Sequence, residues 1–334
     1  MHRALAHYTL PDYFEVIVVP PGKPQTKPRA LNYALQFARG ELLTIYDAED
    51  IPEPMQLRKA AEQFAASPKH LACLQAELAF YNPNENWLTR QFTIEYGTLF
   101  KLILPSLAAE GLPFLLGGTS NHFRTSILRS SGAWDPYNVT EDADLAIRLA
   151  RLGYDISTLD SVTYEEANTE FRNWLQQRSR WLKGFLQTWL VHMRDPISLI
   201  DTISLSGFWI VQATTFGIFF SALFHPIFLI HAAYLVLSGT FLSPQATPFQ
   251  LLLGGIDLAV LVTGYAISIY AGWKAIRLQQ IKGWWFALAT LPIYWLIAGI
   301  AGWLALWQFA VAPFHWNKTR HGLSTFQNDR AAKT

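Results

Sequence analysis

The chain has 334 residues, is 51% hydrophobic and carries 26 Lys and Arg against 25 Asp and Glu, a net charge of +1. That length covers a full-sized domain with residues to spare, and the near-zero charge excludes a general attraction to polyanions, so no nucleic-acid partner is expected. One cysteine, Cys73, excludes an intrachain disulfide and a cysteine-rich metal site, while 13 Trp and 22 Phe point to a membrane interface.

The run "FEVIVVP" (14–20) reads as a first buried strand, and "PGKPQTKP" (21–28) as the loop after it. "RALNYALQFARG" (29–40) has helical spacing and closes on Gly40. "ELLTIYD" (41–47) is strand-like, "PMQLRKAAEQFAAS" (54–67) helical, and "HLACLQAELAFY" (70–81) contains another strand. Strands alternating with helices predict a mostly parallel, Rossmann-like α/β sheet with helices on both faces. Farther on, Thr125 can cap "SILRSSG", ending at Gly132, and Thr140 can cap "EDADLAIRLARLG", ending at Gly153. Residues 168–193, "NTEFRNWLQQRSRWLKGFLQTWLVHM", predict a long helix rich in aromatic and basic residues.

Beyond that helix the charge stops. Between Ser204 and Pro313 the only Asp, Glu, Lys or Arg residues are Asp257, Lys274, Arg277 and Lys282. A spanning helix needs about 20 apolar residues. Residues 194–313 therefore read as a transmembrane region with about four spans, near 207–223, 224–240, 250–272 and 284–311. His225-Pro226 lies near the middle of a stretch whose 34 residues would make a helix of about 51 Å, which reads as two spans or as one long broken helix. Asp257 is either an outer-edge residue or faces a polar cavity, and intramembrane acids are functional suspects. The opening "MHRALAHYTLPDYFEV" has no apolar core segment. The expectation is a cytoplasmic domain at 1–193 and a multi-pass plasma-membrane protein. Four spans return the tail 314–334 to the cytoplasm but place Lys274, Arg277 and Lys282 outside, whereas a single crossing at 207–240 repairs that loop and sends the tail outside unless 284–311 crosses twice.

Three groups of residues carry candidate chemistry. Asp47, Glu49 and Asp50 in "IYDAEDIPEP" sit where a strand ends, which is where ligands bind in open α/β sheets. Close carboxylates repel unless a cation lies between them. A divalent metal with a phosphate-bearing substrate is one solution, and a solvated strand-to-loop junction is the other. Glu141 and Asp142 fall in a first helical turn, where acids favour the helix dipole or where one could act as a general base. Gln177, Arg180 and Trp181 share a helix face that suits a sugar chain and a diphosphate. The same helix could also lie on the bilayer with its basic residues at the headgroups.

"YDAED", then "TED" (140–142), then "QRSRW" (177–181), then membrane spans, resembles the membrane-integrated family-2 glycosyltransferases, which include the cellulose, curdlan, hyaluronan and poly-N-acetylglucosamine synthases. The resemblance runs over nearly the whole chain. It implies a GT-A domain followed by an α-helical transmembrane domain, a nucleotide-diphosphate sugar as donor, and Mg2+ or Mn2+. The family's D-x-D motif falls on Asp47, Ala48 and Glu49, and the Glu in its third place leaves the metal support open between Glu49 and Asp50. The catalytic base falls on Asp142, beside Glu141. Asp47, Arg180 and Lys27 are assigned to the donor. Gln177, Arg180 and Trp181, with Gly118, Asn121 and His122, are assigned to the acceptor. "FHWNKTRHG" (314–322) is similar to the family's gating segment, which implies gating roles for Trp316, Lys318, Thr319, His321 and Gly322.

The resemblance also implies inverting transfer to a growing polysaccharide, with the spans as its path and accessory export subunits as further partners. A non-processive enzyme acting on a glycolipid or lipid carrier, a non-catalytic membrane scaffold and a transporter are the rival readings. Family members open with an earlier strand and an Asp that hold the nucleotide base. Neither is found ahead of "FEVIVVP", so the GT-A domain is expected to be incomplete at its N-terminus.

Overall fold

The structure is a computed structural model that describes residues 11–239, 247–281, 283–314 and 322–324. Helix α1 (Lys27–Leu35) leads to strand β1 (Leu42–Ile45), a short β2 (Ile51–Pro52), helix α2 (Gln56–Ala66) and the long strand β3 (Leu71–Phe80). The chain then leaves the sheet through α3 (Trp87–Thr98), a π-helical turn (Leu99–Ile103) and α4 (Leu104–Ala109). It returns as β4 (Asn121–Arg124), followed by α5 (Thr125–Ser130), α6 (Glu141–Arg151) and β5 (Asp155–Glu165).

These strands make one sheet in the order β1-β4-β3-β5-β2. The mostly parallel arrangement expected from the sequence does not form. Only β3 and β5 run parallel, while β1 with β4, β3 with β4, and β2 with β5 are antiparallel. Alternation fixes strand direction only when each helix crosses back over the sheet. Here α3 departs to pack on helices of the second half, and the chain re-enters beside β3 in the opposite sense.

The expected first strand at 14–20 forms no strand, and Val16 and Val18 are exposed. A continuous apolar run reports a capacity for burial, not the presence of a partner edge. Helix α1 ends at Leu35, five residues short of Gly40. Thr125 is the first residue of α5 and not its cap, and its hydroxyl is buried without a partner among the described residues. Thr140 does occupy the N-cap position of α6, but its side chain makes no capping bond.

Helix α7 (Phe171–His192) follows, then α8 (Pro196–Gln212), a π-helical turn (Ala213–Gly217) and α9 (Ile218–Leu237). After residue 247 come α10 (Pro248–Leu278), α11 (Trp285–Ala289) and α12 (Leu291–Val311). Among the described residues three helical runs are long and apolar enough to cross a membrane: Pro196–Leu237, Pro248–Leu278 and Leu291–Val311. The segments expected as separate spans at 207–223 and 224–240 meet without a turn, because α9 continues through Pro226. An interior proline forfeits one hydrogen bond, a loss that helices in lipid tolerate when a neighbour packs on the site. That neighbour is α12, where Gly299 leaves room: a Cβ there would lie 2.3 Å from the Pro226 ring.

The two halves share cores. Phe80, Leu88 and Phe92 pack with Trp174 of α7 and Tyr294 of α12. Ile94 packs with Ile276, Trp284 and Leu288. Helix α7 does not simply lie on a bilayer. It is packed against α9 and α12, with Trp174, Leu182, Gly184 and Thr188 buried.

Candidate active site

Asp47 lies two residues beyond β1, where the strand's direction delivers it past the sheet edge. The loop it starts is braced by Asp50, whose Oδ2 accepts the Asp47 N–H at 2.8 Å and the Thr119 hydroxyl. Lys27, in the first turn of α1, forms an ion pair with Asp47 and donates to the Gly118 carbonyl at 2.7 Å. A Cβ on Gly118 would stand 3.4 Å from Asp142 Oδ2. The carboxyl end of β1, the loop before β4 and the start of α6 therefore meet in one place.

Charge in this place is dense. Burial works to lower the Lys27 pKa, but Asp47, with Glu141 and Asp142 behind it, leaves the value raised. Burial leaves the Arg180 pKa lowered against the pull of Glu141, Asp142 and Asp47. Burial pushes the Asp142 carboxyl up, opposed by the Ala143 N–H and then by Lys27 and Arg180. Glu141 is pushed up to about 8, by burial first and by Asp142 second.

This has a consequence for stability. Between its ordinary value of 4.5 and about 8, folded Glu141 holds a proton that the unfolded chain has lost. Stability therefore falls as pH rises through that window. Thermal unfolding between pH 5 and 8 is expected to show this slope in the native chain and a flatter one in Glu141→Gln. An unchanged slope in the variant would assign it elsewhere.

Of the residues assigned to an acceptor from the sequence, Gln177 accepts from Asn168 Nδ2 at 2.8 Å. Trp181 packs on Phe92 and Tyr96 at 5.9 and 6.4 Å between centroids. Asn121 donates to the Gly117 carbonyl at 2.7 Å, close to the Asp142 group. His122 is not brought to that group. It is buried in the sheet with Nδ1 2.8 Å from Thr44 Oγ1, and burial lowers its pKa to about 4. Trp316, Lys318, Thr319 and His321 lie outside the described residues. Gly322 is described, and the N–H groups of Gly322, Leu323 and Ser324 donate to Glu166 at 2.5, 2.8 and 2.7 Å.

Some residues at or beside the site were not singled out from sequence. Thr119 links Asp50 to the loop before β4. Burial, then Asp50 and Asp47, push the Glu165 carboxyl well up at the end of β5. Asp144, two residues beyond Asp142, holds α6 to α7 through His192 at 3.1 Å and accepts from Arg148 at 2.7 Å. Arg178 makes a double hydrogen bond to Glu95 at 2.5 and 2.6 Å and donates to Tyr294 Oη at 2.9 Å. The Arg178 guanidinium lies 5.1–5.4 Å from the ring centroids of Phe92, Trp174 and Trp181. The available signal was a cation flanked by Trp174 four residues before and Trp181 three after, which puts both rings on its face.

The start of α6 also depends on a glycine of α7. A Cβ on Gly184 would lie 2.4 Å from Thr140 Oγ1 and 2.8 Å from Thr140 Cβ. Thr140 immediately precedes Glu141 and Asp142, so Gly184→Ala must displace it. Overpacking of this kind costs about 1–3 kcal/mol. A small shift of a reacting group also lowers turnover, here on the order of tenfold or more. Steady-state kinetics and thermal unfolding of Gly184→Ala check both; wild-type turnover would remove α7 from the positioning of α6.

The donor set fits a divalent cation. Asp50 Oδ1 is buried without a hydrogen-bond partner among the described residues, next to Asp47. No group of three His, Cys, Asp or Glu converges among the described residues. A hard cation here would be held by one or two carboxylates and completed by water and substrate phosphate.

Residues 42–270 match the family described as "Glycosyl transferase family group 2". The chain belongs to this family. With its mixed sheet and strand-end acids it has the GT-A-like α/β class, followed by helices able to cross a membrane. It is 29% identical over 176 residues to the probable glycosyltransferase YdaM of Bacillus subtilis, covering 51% of this chain and 40% of that protein. It is 32% identical over 175 residues to cellulose synthase 2 of Novacetimonas hansenii, covering 50% of this chain and 10% of that protein. It therefore spans less than half the length of either. A solved mannosyltransferase, PcManGT from Pyrobaculum calidifontis in complex with GDP-Man and Mn2+, aligns over 86% of this chain and 67% of its own, with a TM-score of 0.46 and 17% identity.

Proposed function

We propose that this chain performs inverting transfer of a sugar from a nucleotide-diphosphate sugar to a hydroxyl of a glycan or glycolipid acceptor at the membrane. The observation that carries this reading is the single cluster in which Lys27 joins Asp47 to Gly118, and Gly118 abuts Asp142. Family-2 membership and relatives named as a glycosyltransferase and a cellulose synthase support it.

Asp142 takes the proton of the acceptor hydroxyl as its oxygen bonds to the anomeric carbon, while the bond from that carbon to the diphosphate breaks. A base whose pKa lies above the ordinary carboxylate value suits proton abstraction near neutrality. Lys27 and Arg180 hold the diphosphate, whose charge grows as it leaves. Asp47 and Asp50 would hold Mg2+ or Mn2+, which supplies further positive charge at the departing diphosphate. Gln177 and Trp181 orient the acceptor. In this reading the catalytic domain faces the cytoplasm.

The test is incubation of membranes containing the full chain with radiolabelled UDP- and GDP-sugars and Mn2+, followed by separation of lipid-soluble from polymeric product. Label in either fraction is expected. No incorporation and no donor hydrolysis with any donor would overturn the reading. Polymeric product would select the processive form, for which the Gln177, Arg180 and Trp181 helix is the supporting feature.

A further inference from the structure

A cavity of about 710 Å³ lies in the second half of the molecule, between α9 and α10 over a floor from α12. Helix α9 packs on α12 and α7, and α10 packs on α3 and α11, but α9 and α10 are not packed face to face. One hydrogen bond crosses the gap, between His225 Nε2 and Tyr265 Oη at 2.5 Å. Helix α9 lines the cavity from Ile218 to Val236, about 27 Å at the helical rise. That is close to a full hydrocarbon core and longer than one leaflet's chains.

The wall is mostly apolar. Phe216, Phe220, Phe224 and Phe228 follow one another at helical spacing, with successive centroids 5.5, 4.3 and 6.4 Å apart, and the last three line the cavity. A glycan in such a slot would leave most of its hydroxyls without partners, at several kcal/mol in all. An acyl chain would leave none. The polar end lies against the catalytic half, where Glu95, Arg178 and Tyr294 line the cavity. Among the described residues of the lining, the Lys and Arg residues are represented by Arg178, whose charge is matched by Glu95. Asp257 adds a further acid. With two carboxylates to one guanidinium, the lining disfavours a phosphate headgroup, whereas a neutral hydroxylated head meets hydrogen-bonding groups. Helix α7 carries both Arg178, in this lining, and Arg180, beside Glu141 and Asp142.

We infer that this cavity is the binding site of a neutral, hydroxyl-headed lipid of the diacylglycerol class, with its chain between α9 and α10 and its head toward Glu95, Arg178 and Tyr294. It rests on the transfer proposed above for its purpose, though not for its detection, and its head end lies at Arg178, whose guanidinium is 5.1 Å from the ring centroid of Trp181.

Binding is tested apart from turnover. The full chain in phosphatidylcholine nanodiscs is photolabelled with a diacylglycerol bearing a diazirine in one acyl chain, and labelled peptides are mapped. Gly264 lines the cavity and Gly255, on the same helix, does not; a Cβ on either meets open space. Gly264→Phe is expected to lower labelling of residues 218–236 at least tenfold and Gly255→Phe to leave it unchanged. Unlabelled diacylglycerol should compete and undecaprenyl phosphate should not. Equal labelling in the two variants, or displacement by undecaprenyl phosphate, would overturn the inference. Asp142→Asn should keep the labelling. Labelling without any transfer by the native chain would count against the proposed function alone, and transfer to a soluble glycan without cavity labelling against the lipid site alone.

Discussion

Asp142→Asn is expected to lower sugar transfer by about 10²–10⁴-fold, the usual contribution of a positioned base, with nucleotide binding and the fold retained. The exchange is nearly isosteric. Asp142 Oδ1 accepts the Ala143 N–H at 2.8 Å, and an amide oxygen can accept the same bond. What disappears is the ability to take a proton. Burial already pushes this carboxyl up, so removing its charge should leave unfolding temperature unchanged or slightly higher. Rates over several substrate concentrations, with thermal unfolding alongside, separate the effects. Near-normal transfer would remove Asp142 as the base, and a large fall in unfolding temperature would make it a structural residue.

The second large effect is expected at Glu95, and it concerns stability. Arg178 is buried among Phe92, Trp174 and Trp181, and its charge is matched by Glu95 from α3. Glu95 is 38% exposed and Arg178 mostly enclosed, so removing the carboxylate costs less than the about 3–5 kcal/mol of a fully buried pair. Glu95→Ala should still unfold below the native chain, because the enclosed Arg178 loses its countercharge. The double variant Glu95→Gln/Arg178→Met should recover much of the loss, since no unpaired charge remains. Unfolding in detergent measures all three. If Glu95→Ala were neutral, or the double variant worse than the single, the pair would not be holding α3 to α7.

Which features the sequence disclosed follows from what its patterns measure. The acids of "YDAED" were readable as a strand end because the apolar run before them is short and prolines follow. The start of α6 was readable because Thr140 precedes three acids in one turn. Strand direction was not readable, since sequence alternation cannot report that α3 packs on α10 and α11 before the chain returns as β4. Arg178 was hidden because a cation in a helix that also bears Arg172, Arg180 and Lys183 reads as surface charge. Its partners Glu95 of α3 and Tyr294 of α12, 83 and 116 residues away along the chain, complete the enclosure begun by Trp174 and Trp181. His122 misled in another way. It follows Gly117 and Gly118 closely, but strand alternation turns it toward Thr44 while Asn121 reaches back to Gly117. Residues 207–240 were divided at His225-Pro226 because 34 residues exceed one straightforward span and a proline lies near their middle. The notch at Gly299 that accommodates Pro226 lies over 70 residues downstream.

The central claim is that the acids after β1 and the acid at the start of α6 serve one diphosphate. Titration calorimetry of the full chain with UDP and with GDP, with and without Mn2+, addresses it most directly. The expected result is nucleotide binding that requires Mn2+, weakens at least tenfold in Asp47→Ala and persists in Asp142→Asn. Binding as tight in Asp47→Ala as in the native chain, or binding indifferent to Mn2+, would contradict it.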